Sequence, residues 1–192
     1  GPLVTARALA NRSVRRLVEP VLFGDAGDRR RFPTSHEFHE VSSLSRSERV
    51  AGRPSLEGGR AQHDAFLALI DAAKAGTIDA MCTAPVSKEQ ITRAGRPFMG
   101  HTEVLAEAFG VEVVMLMKGP QLSVALATNH LPLARVPGAL TVPGLLRVLS
   151  IIDTGLRAAL GRRPIIAVCG LNPHAGEQGV MGSEDGDIVT PA

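Results

Sequence analysis

Two short apolar runs, each leading into a histidine-bearing turn, set the frame for this chain. Ile165-Ile-Ala-Val-Cys169 runs into Gly170-Leu-Asn-Pro-His-Ala-Gly-Glu-Gln-Gly179, and Leu122-Ser-Val-Ala-Leu-Ala127 runs into Thr128-Asn-His130-Leu-Pro132. Each run reads as a strand, the first of them buried, and Gly and Pro then end the strand and bend the backbone. His130 and His174 are thereby placed on loops past strand carboxyl ends, where open α/β sheets bind ligands. Neighbouring strands would bring both imidazoles to one sheet edge.

The rest of the chain alternates in the same manner. Leu3 to Val18 has helical spacing with Arg on its opposite side. Pro20 to Gly24 and Glu37 to Val41 read as short strands, and Ser42 to Glu57 as a polar loop. Gly58-Gly59 opens a helix with Phe66, Leu69, Ile70 and Ala73 on one face and Gly76 as its stop. Ile78 to Thr83 is a predicted strand, and a short helix through Lys88, Gln90 and Ile91 ends at Gly95. His101 and Thr102 head a helix to Phe109; Val111 to Met117 and Gln121 to Thr128 are predicted strands. Thr141 caps a long helix that Gly161 stops, and Ser183-Glu-Asp185 starts a further one. Such alternation predicts α/β layers with a mostly parallel sheet. The pattern restarts after Pro97, which places a boundary near Phe98-Met99 and gives two incomplete α/β domains, 1–98 and 99–192.

Composition narrows the function classes. A net charge of +2 with no charge block or aromatic platform argues against nucleic acid as a partner. No apolar stretch reaches membrane-spanning length, and Cys82 and Cys169 both lie in apolar runs as expected buried thiols. A reducing, cytoplasmic setting is the expectation. The complete lack of Trp and Tyr hints at part of a longer chain.

Each motif has a bland reading beside the chemical one. Two histidines alone do not make a zinc site, which wants at least three protein ligands; His130 and His174 would then be unrelated loop residues. Asn172 and Glu177 are candidates to support the ligands or merely to shape the turn. Gly100-His101-Thr102-Glu103 offers a helix N-terminus to an anion, or simply uses Thr102 as its N-cap. Lys88, in Thr83-Ala-Pro-Val-Ser-Lys88, either meets a phosphate or carboxylate or is solvated. There is no complete dinucleotide-binding glycine fingerprint or P-loop, so no cofactor-binding residue is assigned.

Taken together and in order, Gly52-Arg-Pro-Ser-Leu-Glu-Gly-Gly-Arg60, Thr83–Lys88, Gly100–Glu103, Ala127-Thr-Asn-His-Leu-Pro-Leu133 and Gly170–Glu177 resemble the 4-hydroxythreonine-4-phosphate dehydrogenase family of pyridoxine biosynthesis. The resemblance implies two α/β/α layered subdomains similar to isopropylmalate dehydrogenase, with the active site in a cleft. It implies NAD, a divalent metal (Zn, Co or Mg) and a homodimer. The implied reaction oxidises 4-phosphohydroxy-L-threonine at its secondary alcohol, then releases CO₂ to give 3-amino-2-oxopropyl phosphate. By the same resemblance His130 and His174 match two metal ligands, and His101 and Thr102 match a substrate-contacting pair. No catalytic residue is assigned beyond the metal ligands; Lys88 and Asn172 are supporting candidates.

The family's third metal-binding His, given by the partner subunit, lies in a Tyr-His-Asp-Gln-Gly motif with no counterpart in this sequence. Nor do the family's main phosphate-binding Lys and Arg have one. Gly1-Pro2 is either a tag scar or the end of the family's Gly-Ile-Gly-Pro motif. The expectation is a fragment, inactive by itself. The rival readings are a 4-phosphoerythronate or 4-phosphothreonate dehydrogenase, disfavoured by Leu131-Pro-Leu133, and a non-catalytic metal- or phosphate-binding homologue.

Overall fold

Side chains cap the N-termini of four of the seven α-helices in the computed structural model, which describes residues 1–192. The chain divides into two units, Gly1–Gly110 and Val111–Ala192.

In the first unit, α1 (Pro2–Ala10) breaks at Asn11, whose extended backbone and side chain, accepting from Ser13 N–H, start α2 (Arg12–Arg15). The single predicted helix over 3–18 is therefore two. Strands β1 (Val21–Asp25) and β2 (Glu37–Ser42) pair in parallel, from Val21 opposite Glu37 to Gly24 opposite Glu40, with a shift of register at Asp25. Asp25 is buried and takes the N–H groups of Gly27 and Leu44 and the hydroxyl of Ser42.

Helix α3 (Leu56–Lys74) is capped by Ser55, which accepts from Gly58 N–H and lies three residues ahead of the predicted glycine pair. Its apolar face meets α4 (Lys88–Arg93) and α5 (His101–Phe109) in a core of Phe66, Ile70, Ile91 and Phe98. Gly59 makes the α3–α4 approach possible, since a Cβ there would lie 2.5 Å from the Gln90 carbonyl oxygen. Val104, Leu105 and Ala108 of α5 pack on the same core, so this compact unit runs on through Gly110.

The second unit holds an antiparallel pair, β3 (Leu116–Lys118) and β4 (Ser123–Ala125), then α6 (Val136–Ala139) and α7 (Val142–Leu160). Thr141 caps α7 by accepting from Gly144 N–H, and Gly161 ends it in the left-handed region, as the sequence predicts. A single π-type turn, Asp185–Val189, follows the His174 loop.

The architecture is α/β with one parallel and one antiparallel pair, which corrects the expectation of a mostly parallel sheet. Ile78–Thr83 and Ile165–Cys169 form no strand, and the predicted strands over 111–117 and 121–128 shrink to β3 and β4. An apolar run becomes a strand only where a neighbour takes its N–H and C=O groups. Without such a neighbour Ile165 is 94% exposed rather than buried. Cys82 and Cys169, on those two runs, are exposed as well. No single helix is long and apolar enough to cross a membrane.

Candidate functional site

In the first unit, the polar groups gather at the start of α5. Gly100 is the N-cap and contributes no side-chain cap, so Thr102 lies within the first turn and is not the N-cap. His101 presents its ring edge-on to Phe66 and Phe98, at centroid distances of 4.6 and 5.5 Å. Its Nε2 is buried with no hydrogen-bond partner. Burial between those rings, and then the Lys88 ammonium, hold its pKa below the ordinary 6.5, which favours the neutral imidazole. Lys88 and Glu103 both approach Gly100: a Cβ there would lie 3.1 Å from Lys88 Nζ and 2.6 Å from Glu103 Oε2. The structure thus brings together Lys88 and His101, two residues singled out separately from sequence.

Gln62 was not singled out, yet it positions this corner. Its Oε1 accepts from Ser87 N–H at 2.8 Å, while its Nε2 donates to the Gly58 carbonyl at 2.9 Å. One side chain therefore ties α3 to the cap of α4, the residue just before Lys88. Nothing in local spacing signals a contact across 25 residues.

In the second unit, both candidate metal ligands stand on left-handed backbone. His130 has φ 53° and His174 φ 54°; the other non-glycine residues with positive φ are Ala175, Glu177 and Gln178. Such conformations are costly for residues with a Cβ and concentrate at functional sites. Both histidines are exposed, and beside His130 the Asn129 Oδ1 is buried without a hydrogen-bond partner. The expected frame of two neighbouring strands is absent, because β4 ends at Ala125 and no strand precedes His174.

The His174 loop is instead held by acids that follow it. Asp185, 3% exposed, accepts from Leu171 N–H at 2.8 Å and Asn172 N–H at 2.9 Å. These two bonds hold its carboxyl below the ordinary 3.8. Asn172 donates from Nδ2 to Glu184 at 2.8 Å, so its side chain shapes the turn. Glu177, exposed, contributes its carbonyl to Val180 N–H. Sequence reasoning singled out neither Asp185 nor Glu184 for this task; their acidity in a predicted helix start was the one available signal.

No group of three His, Cys, Asp or Glu side chains is placed to hold one metal ion. Two accessible imidazoles are nevertheless a suitable part of a donor set for a borderline divalent ion, and the constrained backbone at both fits that role in part. The third ligand is not among the groups this chain assembles.

Comparison with known proteins gives a consistent result. The family model described as pyridoxal phosphate biosynthetic protein PdxA matches residues 4–192. A 4-hydroxythreonine-4-phosphate dehydrogenase of Cupriavidus pinatubonensis is 54% identical over 144 residues, 66% of this chain and 42% of that protein. The chain thus spans less than half the length of that curated relative. The crystal structure of 4-hydroxythreonine-4-phosphate dehydrogenase from Klebsiella pneumoniae superposes with a TM-score of 0.80 at 28% identity, covering 99% of this chain and 64% of that one. A terephthalate 1,2-cis-dihydrodiol dehydrogenase from Burkholderia xenovorans gives a TM-score of 0.62 at 27% identity, covering 99% of this chain and 62% of that one. This chain belongs to the PdxA family of pyridoxal phosphate biosynthetic proteins.

Proposed function

We propose that the full-length protein carrying this sequence is an NAD- and divalent-metal-dependent 4-hydroxythreonine-4-phosphate dehydrogenase. It oxidises the secondary alcohol of 4-phosphohydroxy-L-threonine, and decarboxylation then yields 3-amino-2-oxopropyl phosphate for pyridoxal phosphate biosynthesis. The observation that carries this reading is the family match over residues 4–192, which takes in the five segments from Gly52–Arg60 to Gly170–Glu177 that carry the resemblance. Its setting is a cytoplasmic homodimer of two α/β/α domains per subunit, similar to isopropylmalate dehydrogenase.

His130 and His174 would hold the metal (Zn, Co or Mg) with a third ligand from the other subunit. Bound there, it would supply Lewis acidity to the substrate hydroxyl and to the negative charge left as CO₂ departs. His101, kept neutral by its apolar walls and by Lys88, offers the Nε2 atom as a hydrogen-bonding group to the substrate. Thr102 offers a hydroxyl from the same helix turn, and the pair fixes the substrate's polar groups. Lys88 supplies a charge-assisted hydrogen bond to a carboxylate or phosphate. Asn172 supports the His174 turn through Glu184.

The match to the dihydrodiol dehydrogenase favours a second reading, in which the same scaffold oxidises a different secondary alcohol. 4-Phosphoerythronate and 4-phosphothreonate belong to that test. The experiment is NADH formation by the full-length protein with each substrate, with and without divalent metal. Metal-dependent NADH from 4-phosphohydroxy-L-threonine, abolished by His174→Ala, is the expected result. NADH from another alcohol alone would transfer the assignment to that substrate. No turnover with any of them would support the non-catalytic homologue.

A further inference from the structure

The segment that carries His174 has little local reason to take its shape. Residues 174–178 all have positive φ, a conformation that costs an L-residue about 1–2 kcal/mol each. Its geometry must then be imposed from its ends. At the downstream end, Met181 N–H donates to the Gly176 carbonyl at 3.0 Å, and Gly176 packs so closely on the Gly182 carbonyl that a Cβ would collide with it. At the upstream end stands Asp185. Pro173 has no N–H, so Leu171 and Asn172 carry the last backbone donors before His174. The Asp185 carboxylate takes both, one oxygen to each, and Glu184 takes the Asn172 side chain.

From this geometry we infer that Asp185 is a positioning residue for His174: by binding the N–H groups of Leu171 and Asn172 it holds the imidazole in its ligand orientation. The role rests on the metal-ligand reading of His174. Asp185 touches neither His174 nor the substrate; it works through two backbone bonds. Asp25 is its natural control, a buried carboxylate of the first unit that also takes two backbone N–H groups but lies in the β1–β2 pair, remote in sequence from both histidines.

The test is a Co²⁺ titration of the full-length protein, read by calorimetry and by the visible ligand-field bands, alongside thermal unfolding. Asp185→Asn should weaken Co²⁺ about tenfold, in the range for residues that orient metal ligands, and alter the bands. Asp25→Asn should lower the unfolding midpoint comparably yet leave Co²⁺ affinity within about twofold of the parent, since it reaches no ligand loop. Asp185→Glu, which restores the carboxylate, should recover part of the loss. Parental Co²⁺ binding by Asp185→Asn, or an equal loss in Asp25→Asn, would overturn the inference. Should Asp185→Asn fail to fold, Glu184→Ala removes the acceptor of the Asn172 side chain in the same turn and should weaken Co²⁺ about tenfold; unchanged affinity there would overturn it. His174→Ala separates the two layers of the argument. It should abolish the His-dependent bands, and parental binding in that variant would remove the metal-ligand reading and the positioning role with it.

Discussion

The two units manage their apolar surface in opposite ways. The first closes a core in which Phe66, Ile70, Ile91 and Phe98 are all at most 6% exposed. In the second, Ile165, Leu133 and Val180 are more than four-fifths exposed, and Leu145 is the only buried large apolar side chain. The difference follows from the elements that carry these residues. Helices satisfy their own backbone, so α3, α4 and α5 need only turn matching faces together. An extended run needs a neighbour before it can bury anything. Where none is paired, order comes from polar clamps such as Thr141, Asp185 and Glu184.

The largest effect that probes this contrast is loss of core volume. Phe66→Ala should cost the full-length protein about 3–5 kcal/mol, the usual range for a buried aromatic. It should also weaken substrate binding, because it removes one wall of His101. Leu145→Ala should cost about 2 kcal/mol, at the low end for a buried leucine. Leu145 already borders a cavity of about 210 Å³, so less packing is lost. Denaturant unfolding of both variants is the measurement, and equal losses would break the contrast.

Legibility in the sequence divides along the same line. The ends of α4 and α7 could be read from Gly95, Thr141 and Gly161, because a cap is a contact within a few residues. His101 was legible as part of a helix start, and Lys88 as part of a turn. Ile78–Thr83 and Ile165–Cys169 had the composition of strands, but strand formation is decided by a distant neighbour that composition does not specify. The hold of Asp185 on Leu171 spans 14 residues and that of Gln62 on Ser87 spans 25, so neither leaves a local pattern. The left-handed backbone at His130 and His174 was unreadable for another reason: histidine there carries no signature comparable to a glycine.

Acid should separate the units by the pH at which each weakens. His101 has a folded pKa below its unfolded 6.5, so the unfolded chain binds more protons between the two values. The first unit therefore loses stability as pH falls through 6.5 towards the folded value, and no further below it. The groups facing the ring are Phe66 of α3, Phe98 and Lys88, with Glu103 two residues along α5 and His63 edge-on to Phe98. Lys88→Met should move the His101 midpoint upward and flatten this loss, as read by NMR titration of the ring. Asp185 has a folded pKa below its unfolded 3.8, so its contribution is complete above 3.8 and disappears as pH falls through the folded value. A His101 midpoint at or above 6.5 in the parent would contradict the packing of its ring.

The smallest effect is the sharpest on conformation. Ala175 has φ 51° in the middle of the left-handed turn, whereas Ala158 lies in right-handed α7. Replacing Ala158 by Gly should cost about 1 kcal/mol, since glycine loses more backbone freedom on entering a helix. The same replacement at Ala175 carries that entropic loss, about 0.4–1 kcal/mol, but relieves a Cβ strain of about 1–2 kcal/mol. Ala175→Gly should therefore stabilise the full-length protein by up to about 1.6 kcal/mol. The two variants should move the unfolding midpoint in opposite directions. If both lower it, residue 175 is not left-handed in solution, and the loop that presents His174 owes its shape to ordinary local preference rather than to the carboxylate that closes it.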